Sequence, residues 1–287
     1  MRSRAEEDHG RFYESNDGLS LFYRDYGAER PGTPVLCLPG LTRNSRDFED
    51  LARTLCARRR VLAPDLRGRG YSQHDPEWRN YHPGTYVNDV FTLLEHAGVE
   101  RVIVIGTSLG GLIAMGMAAQ DPARLAGVVL NDIGPEIAPA GLARISAYAG
   151  RLPPVKNWGE AVAQAQDVYG EWWPGLSDEQ WLRMAQRGYR EGEDGVPRLD
   201  IDPAIGTAVR EAGPQSGDPW RAFDALQGTP TLVLRGERSD ILSEEILDRM
   251  RQRKPDLATV TVANRGHVPL LDEPECVAAI DGFVTGL

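Results

Sequence analysis

Positive charge is in deficit in this chain. Its 32 lysines and arginines face 42 aspartates and glutamates, for a net charge of −10, and no basic run forms a patch or an arm. Nucleic acid and anionic membranes are therefore not expected partners. Lysine occurs only at Lys156 and Lys254, an imbalance that carries no functional reading. Cysteine is also sparse. Cys37, Cys56 and Cys276 are odd in number, widely spaced and set among apolar residues. That pattern excludes a disulfide framework and reads as reduced core thiols. Without a CxxC pair or a Cys/His cluster, no metal or other cofactor is expected. The first ten residues lack the apolar segment of a signal peptide, so the expected location is cytoplasmic.

Long uncharged runs are rare too. The one that matters is Val102 to Ala119, VIVIGTSLGGLIAMGMAA, 18 residues without a charge. Its length alone would suit a membrane span. Its order argues otherwise: four β-branched residues suit a strand buried on both faces, and the glycine-rich Gly106-Thr-Ser-Leu-Gly-Gly111 cannot continue a helix. The remainder reads as a buried helix ending near Asp121-Pro122. Strand, sharp turn and helix are expected.

What is abundant is ordinary for a globular chain: 287 residues, 41% hydrophobic and 26% charged. Such a chain can bury about three quarters of its unfolded surface without staples. Strand and helix patterns alternate. A hairpin is expected around Asn16-Asp-Gly18, then strands at 35–38, 61–63, 101–105, 127–130, 231–234 and 259–262, with helices near 45–56, 85–97, 108–120, 244–253 and after Pro274. That alternation predicts an α/β fold with a mostly parallel sheet and helices on both faces. Residues 134–219 break the rhythm. They show no convincing strand, contain a capping box at Ser177–Gln180, and carry Trp158, Trp172, Trp173 and Trp181, with Trp220 at the end. The expected organisation is a core over 1–133 and 220–287 with a helical insertion over 134–219.

Gly106-Thr107-Ser108-Leu109-Gly110 is G-x-S-x-G between a strand and a helix. A serine hydroxyl is a weak nucleophile and needs an adjacent base. A tight strand-to-helix turn would expose Ser108, small neighbours would allow it, and the helix N-terminus would face the developing oxyanion. A glycine-rich packing turn is the bland alternative. Of five histidines, His9, His74, His82 and His96 fall in an end, a polar loop or a helix terminus. His267, in Asn264-Arg-Gly-His-Val-Pro269, follows the last expected strand on the same rim as Ser108. Asp240, in Leu234-Arg-Gly-Glu-Arg-Ser-Asp-Ile241, is the expected acid, completing the order Ser108, Asp240, His267. Asp132 also follows a strand end and is the rival acid, with turn capping as its alternative role. The oxyanion donors are expected to be the N–H groups of Leu109 and Leu41.

With these motifs in place, the chain resembles the α/β-hydrolase fold family over nearly its whole length. Leu38-Pro-Gly-Leu41 matches the family's oxyanion loop, Asp65-Leu-Arg-Gly-Arg-Gly-Tyr-Ser72 matches the loop after the next sheet strand, and the serine turn, acid loop and Gly266-His267 match in position. Pro39 departs from the family's usual histidine, so the oxyanion loop must be braced differently here. The resemblance implies an eight-stranded sheet, and a cap formed by the aromatic insertion that roofs the active site and shapes substrate choice.

The expected activity is serine hydrolysis of an ester or lactone of a small, partly apolar or aromatic acid through an acyl-enzyme. Carbon–carbon hydrolysis of a vinylogous diketone and a non-enzymatic ligand receptor on the same fold are the alternatives. Arg43, Thr107, Trp158, Trp172, Trp173 and Trp181 are the candidate pocket residues, although Arg43 can instead pair with Asp47 one turn along, and any one tryptophan can simply fill the insertion's own core. A small-molecule substrate and a monomer or homodimer are expected. Gly68-Arg-Gly70 lacks the third glycine and helix of a dinucleotide loop, and Asp200-Ile-Asp202 lacks the rest of a calcium loop.

Overall fold

The β-branched run at Val102 begins the central strand of the sheet, and its neighbours follow from the same logic. The computed structural model describes residues 9–211 and 218–287. In chain order the strands and helices of the core are β1 (Gly10–Glu14), β2 (Ser20–Tyr26), β3 (Val35–Leu38), α1 (Glu49–Leu55), β4 (Val61–Pro64), α2 (Pro83–His96), β5 (Val102–Thr107), α3 (Leu109–Gln120) and β6 (Leu125–Asn131). Then comes the insertion, with α4 (Pro139–Tyr148), α5 (Trp158–Tyr169), α6 (Asp178–Gly188), β7 (Tyr189–Glu191), β8 (Pro197–Leu199) and α7 (Ala204–Glu211). The core resumes with α8 (Trp220–Asp224), β9 (Thr231–Gly236), α9 (Glu244–Arg253), β10 (Ala258–Val262) and α10 (Pro274–Thr285).

Eight strands form one sheet in the order β1-β2-β4-β3-β5-β6-β9-β10. β1 and β2 pair antiparallel, and β2 meets β4 antiparallel; the pairings from β4 to β10 are parallel. Alternation along each strand separates two cores. Leu36, Leu62, Val104, Val128 and Val233 face one side with α2, α3, α8 and α9. Val35, Val61, Ile103, Val129 and Leu232 face the other with α1 and α10. Burial on both faces is why these strands are apolar throughout rather than alternating. α3 is likewise apolar nearly all round, because until its last two residues it lies between the sheet and other helices.

The helical run expected from Ser45 divides. Ser45–Phe48 is a 3₁₀ turn capped by the Asn44 side chain, and the α-helix begins at Glu49. In the insertion the Ser177–Gln180 capping box is formed, with Gln180 N–H donating to Ser177 Oγ and Ser177 N–H donating to Gln180 Oε1. The expectation of no strand there is corrected by the small hairpin β7–β8. Its turn includes Gly195 at φ 74°, a conformation glycine adopts without a Cβ penalty. Strands three residues long carry too little periodicity to be read from sequence.

The topology decides where chemistry can occur. The parallel strands β3, β5, β6, β9 and β10 all end on one rim. The segments that follow them therefore bring Gly40-Leu41, Ser108, Asp132, Ser239-Asp240 and His267 to the same edge. No helix among the described residues is long and apolar enough to cross a membrane.

Candidate active site

Ser108 sits at φ 52°, ψ −112°, a conformation L-residues rarely adopt, directly before the first residue of α3. Close approach on every side makes the turn possible. A Cβ on Gly106 would stand 2.5 Å from the Gly110 carbonyl, and one on Gly110 would stand 2.1 Å from Leu38 O. No side chain fits at either position, so the two glycines of G-x-S-x-G are steric requirements of the strand–turn–helix crossing. Ser108 N–H donates to Asn131 O at 3.0 Å, which ties the turn to the end of β6.

His267 Nε2 lies 2.9 Å from Ser108 Oγ, and its Nδ1 lies 2.8 Å from Asp132 Oδ2. Asp132 is fully buried and His267 is 8% exposed. The Asp132 carboxylate also accepts from Gly236 N–H at 2.8 Å and from Ser239 Oγ–H at 2.6 Å. An oxygen pair that accepts two hydrogen bonds from fixed donors favours Nδ1–H as the third donor. The imidazole then presents its Nε2 lone pair to the serine hydroxyl.

The acid expectation is therefore corrected: Asp132, not Asp240, meets the imidazole. Asp132 follows β6 with φ 56°, a second left-handed turn on the same rim, and its N–H is fixed by Leu234 O at 2.8 Å. Asp240 accepts two hydrogen bonds from Arg144 of α4, at 2.7 and 2.8 Å. Both aspartates follow strand ends, so position in the chain does not separate them.

Leu109 opens α3, where a first-turn N–H has no partner within its own helix. Leu41 lines the same cavity as Ser108. A Cβ on Gly40 would stand 3.8 Å from Ser108 Cβ, so the β3 loop runs alongside the serine. The residue that holds this loop from behind is Arg69. Its guanidinium is fully buried and donates to Leu41 O at 2.9 Å, Arg67 O at 2.7 Å and Tyr86 Oη at 2.8 Å. Arg69 also lies over the Tyr86 ring. Its segment is tied to the insertion by a bridge to Ile201 and by Gly70 N–H donating to Asp200 O. The 65–72 loop was legible as a match to its family, but Arg69's role required the fold.

Above the serine is a cavity of about 70 Å³. α4, α5 and α6 roof it through Ile145, Tyr148, Tyr169 and Met184, while Phe48 and Leu271 supply apolar wall from the core. Of the expected pocket residues, Arg43, Thr107 and Trp173 line it. Trp173 stacks on Tyr169 and donates from Nε1 to Val268 O at 2.7 Å. The other three tryptophans do not line it. Trp158 donates to Glu191, Trp172 lies beneath the Arg144 guanidinium and against Gly266, and Trp181 packs behind Trp173. The sequence reading missed Tyr148 and Tyr169 as wall residues, because helical periodicity does not say which face of an insertion meets the rim. Arg43 pairs with Asp47 through two hydrogen bonds of 2.8 and 2.6 Å. Burial opposes the Arg43 charge, but Asp47 more than offsets this and its pKa is raised. Among the described residues, no group of three His, Cys, Asp or Glu side chains is arranged to hold a metal.

A sequence profile of the family described as alpha/beta hydrolase fold matches residues 33–274. The chain belongs to that family. This α/β hydrolase is similar over 97% of its length to an α/β hydrolase of Novosphingobium aromaticivorans of known crystal structure, of which it covers 98%, with a TM-score of 0.91 and 46% identity. It is 36% identical over 277 residues, 93% of each chain, to the 3-hydroxybutyrate-oligomer hydrolase of Cupriavidus necator. It is 27% identical to the 2-(acetamidomethylene)succinate hydrolase of Mesorhizobium japonicum, over 93% of this hydrolase and 92% of that one.

Proposed function

We propose that the protein is a serine hydrolase that cleaves carboxylic esters of small, partly apolar acids through an acyl-enzyme. The observation that carries this reading is the pair of contacts on one imidazole: Ser108 Oγ at 2.9 Å from Nε2 and Asp132 Oδ2 at 2.8 Å from Nδ1. In this mechanism Ser108 Oγ attacks the ester carbonyl carbon as its proton passes to His267 Nε2. Asp132 holds the tautomer and stabilises the imidazolium. The carbonyl oxygen becomes an oxyanion and takes hydrogen bonds from Leu41 N–H and Leu109 N–H. Collapse expels the alcohol, which receives the proton from His267. Water then gives a proton to His267 as it attacks the acyl-enzyme carbonyl, and collapse releases the acid while His267 returns the proton to Ser108 Oγ.

The mostly apolar lining and small volume of the cavity favour short acyl chains. The name of the Cupriavidus relative supports esters of 3-hydroxybutyrate and their oligomers as the first substrates to examine. The test is hydrolysis of short-chain esters together with labelling by a serine-directed phosphonate. Wild type is expected to do both and Ser108→Ala neither. Equal behaviour of the two proteins in both assays would end the proposal.

A further inference from the structure

We propose that Arg43, Asp47, Tyr148 and Tyr169 form a polar end to the pocket that selects acyl groups carrying a free hydroxyl a few bonds from the scissile carbonyl. This rests on the serine-hydrolase reading and deepens it to a substrate class.

Position comes first. Arg43 Cγ and Ser108 Cβ both lie within 3.8 Å of the point a Cβ on Gly40 would occupy, so the arginine stem starts beside the nucleophile. From there the side chain runs to the junction between the main cavity and a second of about 30 Å³. Arg43, Tyr148, Tyr169 and Met184 line both. The guanidinium reaches that junction because residue 188 is glycine. A Cβ there would stand 2.9 Å from Arg43 Nη1.

Chemistry comes next. Among the described residues, the hydrogen bonds of Arg43 leave from Nε and Nη2, to Asp47 and to Met184 Sδ, while Nη1 faces Gly188 on the wall of the second cavity. Asp47 itself lines the main cavity. The second arginine on that wall, Arg187, is paired with Asp50 at 2.5 Å. Both cavity cations are thus balanced by carboxylates, and an anionic substrate group would meet Asp47 as well as Arg43. A hydroxyl suits the pair better, since it can accept from the guanidinium and donate to the carboxylate at once. The Tyr148 and Tyr169 rings lie 6.0 Å apart, centroid to centroid, and both line the two cavities together with Arg43. The remaining wall is mostly apolar, so this is where a substrate oxygen finds partners. An acyl chain without such an oxygen forgoes these hydrogen bonds and offers the Arg43–Asp47 pair no further partner.

The experiment compares kcat/KM for 3-hydroxybutyryl, butyryl and hemisuccinyl esters of one alcohol in wild type, Arg43→Gln, Tyr148→Phe and Tyr169→Phe. Wild type is expected to favour the hydroxybutyryl ester over both others by about tenfold to a hundredfold. That ratio should fall toward unity in Arg43→Gln and fall partly in the tyrosine variants. If Arg43→Gln does not fold, the tyrosine variants, each lacking one oxygen atom, decide. A wild-type ratio near one, or a ratio unmoved in every folded variant, overturns this inference and leaves the serine-hydrolase reading standing. Preference for the hemisuccinyl ester overturns it too, in favour of an anion site. If wild type cleaves none of the three esters and escapes the phosphonate, it is the serine-hydrolase reading that fails.

Discussion

Asp240 and Arg144 face each other through two hydrogen bonds of 2.7 and 2.8 Å, with the arginine lying over the Trp172 ring. The aspartate in the loop after β9 thus joins the sheet rim to α4 of the insertion, and the aspartate after β6 serves the imidazole. The two carboxylates have separate partners and should fail separately.

Asp132→Asn should lower kcat by about 10⁴-fold, because an amide can donate to Nδ1 and fix the wrong tautomer. Asp240→Asn should change kcat by less than tenfold. It should instead lower stability by about 1–3 kcal/mol, through loss of charge-assisted hydrogen bonds to a partly buried arginine. Ester hydrolysis and thermal unfolding of both variants check this. Loss of activity in Asp240→Asn alone would contradict the assignment.

Ser108 holds a left-handed backbone that costs of order 1–3 kcal/mol for a residue with a Cβ. Ser108→Gly should therefore melt higher than Ser108→Ala, although glycine is the more flexible residue when unfolded. Both should be inactive. A lower melting temperature for the glycine variant would show that the turn is not strained.

Arg69→Lys should act on the oxyanion loop. Lysine cannot reproduce the fork that reaches Leu41 O, Arg67 O and Tyr86 Oη together. Displacing a donor loop should lower kcat by about tenfold or more, approaching the effect of losing one oxyanion donor, with a smaller change in KM. A variant that loses stability but keeps kcat would assign Arg69 to the scaffold alone.

Acid stability should depend on Asp17. A hydrogen bond from Arg67 holds its pKa at about 2, below the ordinary carboxylate value. A depressed folded-state pKa contributes stability above the unfolded value and loses it as pH falls through the folded one. The melting-temperature gap between wild type and Asp17→Asn should be full above pH ~4 and close as pH falls toward about 2. Asp17 is half-exposed, so the gap should also shrink with salt. A gap that widens on acidification would refute the linkage.

Much of the site was legible because its signals are local. The β-branched run, the glycines and the apolar helix around Ser108 are contiguous, and a turn squeezed between Leu38 and Gly110 admits little else. His267 was legible by elimination among five histidines and by its place after the last strand. The paired pattern of Arg43 and Asp47, four residues apart, was legible for the same reason of nearness.

What only the tertiary structure decided concerns residues far apart in the chain. Asp132 and Asp240 look alike in sequence, each just past a strand. The choice came from strand order, which sets β6 between β5 and β9, and from Arg144 reaching down out of the insertion. The brace by Arg69 joins residues 28 apart, and the pocket wall depends on which faces of α4, α5 and α6 turn inward. Local sequence determines backbone conformation and burial pattern through sterics and hydrophobic periodicity. Pairing among distant polar side chains is settled only when packing has fixed their separations to within a hydrogen bond's length.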